Sequence, residues 1–196
     1  MELKEEFRIP APREAVFAAL NDPEVLAAAI PGCESLEQIS ENAFKATVVS
    51  KIGPIKARFQ GEVTLSDIAA PESYTISGEG KAGPAGFAKG SAKVHLTEDG
   101  GETVLSYEVS ADVGGKIAQL GGRLIESTSK NLAGKFFKEF EAIVVARTSG
   151  EAPPESHGEE VAEFAPAFAF QKGIPGKGLW IAIAAGIALA TYLLLK

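Results

Sequence analysis

The sequence predicts an α+β protein: a curved, mostly antiparallel sheet wrapped around one long C-terminal helix, with two short helices near the start and a transmembrane helix at the far end. Three observations carry this reading. Five runs between residues 44 and 113 alternate apolar and polar residues with period two, residues 116–147 repeat apolar side chains at helical spacing, and residues 179–195 are apolar and uncharged.

The first element is a strand through Leu3, Phe7 and Ile9. Pro12 then favours the first turn of a short helix carrying Ala15, Val16, Ala19 and Leu20, and Pro23 starts a second that ends before Pro31-Gly32. A short strand is expected near residues 35–39. From Phe44, one face collects Ala46, Val48, Ser50 and Ile52, with Lys45, Thr47 and Lys51 opposite. After Gly53-Pro54 the pattern resumes as Ile55, Ala57, Phe59, Gly61, Val63 and Leu65, so the two runs read as a hairpin. Tyr74, Ile76, Gly78 and Gly80 form the next inner face, then Ala88, Gly90, Ala92, Val94 and Leu96, then Leu105, Tyr107, Val109, Ala111 and Val113. The long helix places Ile117, Leu120, Gly121, Leu124, Thr128, Leu132, Phe136, Phe140 and Ile143 on one stripe, expected to cover the sheet.

Many inner-face positions are small, among them Ala46, Ala57, Gly61, Gly78, Gly80, Gly90 and Ala111. Small residues either let strands curve and the helix sit close, or leave a cavity beneath it. Both readings stand at this level. Apart from Ser50, Tyr74 and Tyr107 the inner face is apolar, so a cavity there is expected to take an apolar ligand. The helix faces and inward strand positions give as pocket candidates Phe17, Leu20, Ile30, Phe59, Phe87, Tyr107, Ile117, Leu120, Gly121 and Leu124. Phe87 has outward parity and belongs with them only if the glycine-rich turn before it resets the register.

Charge and composition exclude other classes. The formal net charge is −7 and no dense Lys/Arg run occurs, which argues against nucleic acid as a partner. Cys33 is the single cysteine, so there is no disulfide framework and no paired-cysteine metal site, and a reducing compartment fits. His95 has outward parity and His157 falls in the segment after the domain, so neither is placed as a base or a metal ligand, and no catalytic residue is expected. Lys45, Lys51, Lys56 and Arg58 make the outer sheet face basic, as a solvated face or one turned toward an anionic membrane or an acidic partner.

The chain divides into a ligand-binding domain over residues 1–147, a flexible Pro/Glu/Gly/Ala-rich linker over 148–178, and a transmembrane anchor over 179–195. At 1.5 Å per residue the anchor is about 25 Å long, at the short limit for a bilayer core. Trp180 and Tyr192 stand near its two ends, and Lys177 and Lys196 bracket it. A coil of about 30 residues has an end-to-end distance on the order of 30 Å, enough for the domain to reach the bilayer surface. The charged start, Met1-Glu2-Leu3-Lys4, lacks a signal-peptide pattern, so the domain is expected on the cytoplasmic side of the inner membrane. Within the linker, the aromatic residues Phe164, Phe168 and Phe170 suit either an apolar collar beside the anchor or a docking segment.

The order of elements resembles the helix-grip fold of the START and polyketide-cyclase-like superfamily. Ile30-Pro31-Gly32-Cys33, Ile52-Gly53-Pro54-Ile55, Phe59-Gln60-Gly61 and the run from Gly115 through Gln119, Gly121-Gly122 and Arg123 to Ile125, with Phe136-Phe137, more narrowly resemble the CoxG family of carbon monoxide dehydrogenase over residues 2–146. The resemblance implies a cavity between sheet and helix, and a non-enzymatic role beside molybdenum carbon monoxide dehydrogenase in bringing it to the cytoplasmic membrane. It does not imply a bound molybdenum, flavin or iron–sulfur centre. Such a dehydrogenase must pass electrons to the respiratory chain, so a respiratory quinone is the expected exchangeable ligand. A recruitment adaptor whose cavity is filled by side chains, and a lipid- or small-molecule-binding protein or cyclase of the same fold, are the competing readings.

Overall fold

The computed structural model of the chain describes residues 2–150. Seven strands form one fully antiparallel sheet: β1 (Glu2–Ile9), β2 (Cys33–Ser40), β3 (Ala43–Ile52), β4 (Ile55–Ala69), β5 (Ser73–Lys81), β6 (Phe87–Asp99) and β7 (Glu102–Gly114). Their order is β1-β7-β6-β5-β4-β3-β2. Helices α1 (Arg13–Leu20) and α2 (Pro23–Ala29) carry the chain from one edge strand to the other, and α3 (Gly122–Ser149) follows β7. The expected linker beyond residue 150 and the expected anchor lie outside the described residues. Among the described residues no helix is long and apolar enough to cross a membrane.

Local chemistry accounts for the element ends. Ile52 pairs with Ile55 across a two-residue turn whose Gly53 has φ +56°, a conformation that favours glycine. Asp22 caps α2, accepting hydrogen bonds from the backbone N–H groups of Glu24 and Val25, with Pro23 in the first turn. The same carboxylate accepts a 2.6 Å hydrogen bond from Arg147 in the last turn of α3. That bond, more than the cap, holds the Asp22 carboxyl below its ordinary pKa.

The long helix begins later than its periodicity suggests. Ala118–Leu120 form a single 3₁₀ turn, and Gly121, at φ +87°, breaks the backbone before α3 starts at Gly122. Ile117 and Leu120 continue the apolar spacing but belong to this separate segment, whose Ile117 N–H donates to the Ala85 carbonyl at 3.0 Å. At its other end α3 runs two residues past the expected boundary and is closed by Gly150 at φ +74°.

The hydrophobic core fills only one end of the sheet. It collects Ile9, Leu65, Tyr74, Val94, Leu96, Leu105 and Tyr107 with Val16, Leu20 and Val25 from α1 and α2. From α3 it takes Phe140, Ile143 and Val144, all in the C-terminal third, while Leu124 in the first turn is 37% exposed. A smaller buried group, Ala57, Ala82 and Ile117, lies at the other end of the strands. Between the two, the inner face of the sheet is left partly uncovered.

A candidate ligand-binding groove

The uncovered region coincides with the small residues. Ala46 pairs with Gly61, Gly61 with Gly80, and Gly80 with Ala88, making one row across four strands. The next row runs from Phe44 through Val63, Gly78 and Gly90 to Ala111. The two explanations of these glycines divide between positions. A Cβ on Gly78 would stand 2.5 Å from the Glu62 carbonyl oxygen, and one on Gly90 would stand 2.9 Å from the Ala111 Cα. There glycine allows the strands to crowd as the sheet bends. A Cβ on Gly80 would meet nothing closer than the Phe59 ring at 3.8 Å, so that missing side chain is open space.

The space is a groove of two adjoining lobes. One, of about 310 Å³, lies on the sheet against Phe44, Ala46, Val63, Ile76, Gly80 and Ala92. The other, of about 390 Å³, lies between β3, the loop after α2 and the middle of α3, against Ile30, Ile52, Leu132, Ala133, Phe136 and Phe137. Val48 and Phe59 belong to both. Each lobe is within the size of small-molecule pockets. Glu79 and Ser91 are the only polar residues on the first wall, and Ser50 the only one on the second. The Ser50 hydroxyl is buried and has no hydrogen-bond partner among the protein atoms. Ser50, Pro31 and Leu132 also border a polar lip formed with Lys51, Ser127, Asn131 and Lys135.

Of the residues expected from the sequence to line a pocket, Ile30 and Phe59 are on the groove wall. Leu20 is buried in the core, and Phe17 packs edge-on against Tyr74 at 5.7 Å between ring centres. Tyr107 stacks with Phe137 at 5.9 Å and donates a 2.7 Å hydrogen bond to Glu5. Burial first, then the Glu5 bond, raises its pKa well above the ordinary tyrosine value. Leu120 and Leu124 pack toward Gly53, Gly121 forms the break before α3, and Ile117 is 1% exposed in the smaller buried group. Phe87 keeps its outward parity: the ring lies across Gly114 and is 42% exposed, so the glycine-rich turn does not reset the register.

Val48, Val63, Ile76, Phe136 and Phe137 line the groove without having been expected there, although inner parity beside the glycine rows marks the strand residues. An inward acid is a further addition. Glu5 shares the inner parity of Leu3 and Phe7, and its carboxylate is engaged by Tyr107 at the edge strand. Phe137 stacks on Phe7 at 4.1 Å and on Tyr107. His95 is exposed on the outer face, and burial raises the pKa of the half-buried Cys33 thiol. Among the described residues no group of side chains is arranged to hold a metal ion.

Residues 6–145 match the family model described as CoxG, the G subunit of carbon monoxide dehydrogenase. The chain belongs to the CoxG family. A conserved protein from Geobacillus kaustophilus is similar in sequence and structure, with 32% identity, 74% of this chain and 95% of that chain covered, and a TM-score of 0.70. Two more distant structures share the fold. A START superfamily protein from Mycobacterium smegmatis has 13% identity, a TM-score of 0.58 and coverage of 74% and 98%. The ZhuI aromatase/cyclase from Streptomyces sp. R1128 has 14% identity, a TM-score of 0.57 and coverage of 78% and 99%. No curated protein matched the chain. CoxG membership agrees with an accessory protein of carbon monoxide dehydrogenase, and the sheet-and-helix architecture is that of the START-like fold.

Proposed function

We propose that this CoxG protein is a membrane-tethered accessory protein that recruits molybdenum carbon monoxide dehydrogenase to the cytoplasmic membrane and takes a respiratory quinone into its groove, so that electrons from CO oxidation reach the respiratory chain. The observation that carries the ligand half of this reading is an apolar groove whose second lobe contains one buried, unpartnered hydroxyl, that of Ser50. A quinone has a flat apolar ring, an isoprenoid tail and carbonyl oxygens that accept hydrogen bonds. The two lobes suit ring and tail by removing apolar surface from water, at about 25 cal/mol per Å² buried. Turned about its Cα–Cβ bond from its buried position into the lobe, the Ser50 hydroxyl would donate to a ring carbonyl, with Lys51, Asn131 and Lys135 at the lip for a second polar contact. The apolar tail of residues 179–195 would keep the domain near the only phase in which quinones dissolve.

The test is a titration of the purified protein with a quinone, together with a search for co-purified isoprenoid, in wild type and in Gly80→Leu. Gly80 is the variant position because a side chain there enters open space. Gly90→Leu would strike the β7 backbone and confuse filling with unfolding. Wild type is expected to bind quinone, and Gly80→Leu to remain folded and bind at least about tenfold more weakly. Absence of both quinone binding and co-purified isoprenoid in wild type would rule out the carrier reading. If Gly80→Leu lost the ligand but left dehydrogenase recruitment and electron transfer intact, the plain adaptor reading would replace it.

A further inference from the structure

The two ends of the sheet carry opposite charge. At the end formed by the β3–β4 turn, the β5–β6 turn and the segment after β7, Lys51, Lys56, Lys81, Lys89, Lys116 and Arg123 are all exposed, facing Glu79 and Asp112. Arg58 there is paired with Glu34 at 2.6 Å. At the opposite end, Glu41, Asp67, Glu72, Glu98, Asp99 and Glu102 are exposed, facing Arg8 and Arg13. In a chain of net charge −7, a basic end is a departure from the average rather than a reflection of it.

Two details separate this end from an ordinary solvated face. Lys51 and Lys56 are direct register partners across the hairpin, an arrangement of like charges that costs stability, and neither takes part in an ion pair among the described residues. Local costs of this kind are retained where another demand outweighs them. Second, Phe87 and Leu124, 42% and 37% exposed, lie at the same end, with Pro54 and Pro84 exposed at the turn tips. Cations beside exposed apolar side chains match a lipid interface, where phosphates and acyl chains are met together.

We propose that this end of the domain docks directly on an anionic lipid surface, with Lys51, Lys56, Lys116 and Arg123 at the phosphates and Phe87 and Leu124 at the acyl boundary. Lys51 also stands on the polar lip of the groove, so docking brings the mouth of the groove to the headgroups. The purpose of that placement rests on the carrier reading above; the docking itself does not.

The experiment uses residues 1–150, a free-standing fold, since the Geobacillus kaustophilus chain consists almost entirely of the matching region. Quinone-free vesicles of phosphatidylcholine, alone or with about one-third phosphatidylglycerol, separate docking from ligand binding. The domain is expected to sediment with the anionic vesicles only, and less as salt rises. At roughly fivefold in affinity per basic residue, Lys51→Ser with Lys56→Ser should weaken binding roughly 25-fold. Lys4→Ser with Lys93→Ser, an equal charge change in an outer-face register row four residues along β6 from Lys89, should weaken it much less. Leu124→Trp supplies the single tryptophan of this segment and should be quenched by brominated acyl chains. Equal effects of the two double variants, equal binding to neutral vesicles, or an unquenched tryptophan would overturn the proposal. Binding to neither vesicle would also overturn it, and is the result expected of an end built to meet an acidic protein.

Discussion

Replacing Ser50 by alanine makes the groove's one unpartnered hydroxyl measurable in two opposed ways. In the protein without ligand, the Ser50 Oγ is buried and finds no acceptor or donor among the protein atoms. A buried polar group left in that condition carries a desolvation penalty of about 1–3 kcal/mol, and alanine removes the group with almost no change of shape. Ser50→Ala should therefore stabilise residues 1–150 by at least about 1 kcal/mol, a rise in Tm of about 2–4 °C for a domain of this size. Affinity for a carbonyl-bearing ligand should move the other way. Loss of one neutral hydrogen bond, worth about 0.5–1.5 kcal/mol, predicts roughly two- to twelvefold weaker quinone binding. Urea unfolding of both proteins gives the first quantity and quinone titration the second. An unchanged or lowered stability would show that the hydroxyl is already satisfied, and unchanged affinity would show that no ligand oxygen meets it; either result refutes the assignment of Ser50 as the polar contact.

Two further outcomes follow from packing and charge. Phe140→Ala should cost about 3–5 kcal/mol in urea unfolding, since its ring is fully buried where α3 meets the core and the vacated volume cannot collapse around it. Asp22 should make acid stability depend on Arg147: its carboxyl pKa is depressed in the folded protein, so its contribution is complete above the unfolded value near 3.8 and is lost as pH falls through the lower folded value. Asp22→Ala should cost about 0.5–2 kcal/mol at neutral pH, chiefly through the cap, and should flatten the pH dependence of unfolding in that acid window.

Most of the sheet was readable in the sequence because strand parity is a strict local property. Phe44 through Ile52 and Ile55 through Leu65 fall on one face in the structure as the alternation requires, and their hairpin turns at Gly53. The start of the long helix was less readable. Ile117 and Leu120 keep the helical spacing, and only the positive φ of Gly121 reveals that they belong to a different segment. Lining residues were harder still, for a physical reason. Parity says which face a side chain occupies, but whether it meets core or groove depends on how far along the strand the helices reach. Tyr107 and Val109 have the same parity two residues apart; Tyr107 is in the aromatic stack under α3, and Val109 is on the groove wall. Phe87 was the opposite case, in which parity alone placed the ring correctly on the outer face.

The unequal seating of α3 has a consequence for how this family can vary. The helix is clamped at its C-terminal end by Phe140, Ile143 and Val144 and by the Arg147–Asp22 contact, while its first turn rests on the sheet only through Leu124 at the Gly53 turn. Like a beam fixed at one end and propped at the other, it can change tilt with small displacement at the clamp and larger displacement at the propped end. Substitutions near Leu124, Leu132 and the Gly121 break can then reset the clearance over the glycine rows without disturbing the fixed end. One fold could thereby accommodate bulkier or slimmer guests, with its thermal tolerance set elsewhere along the same helix.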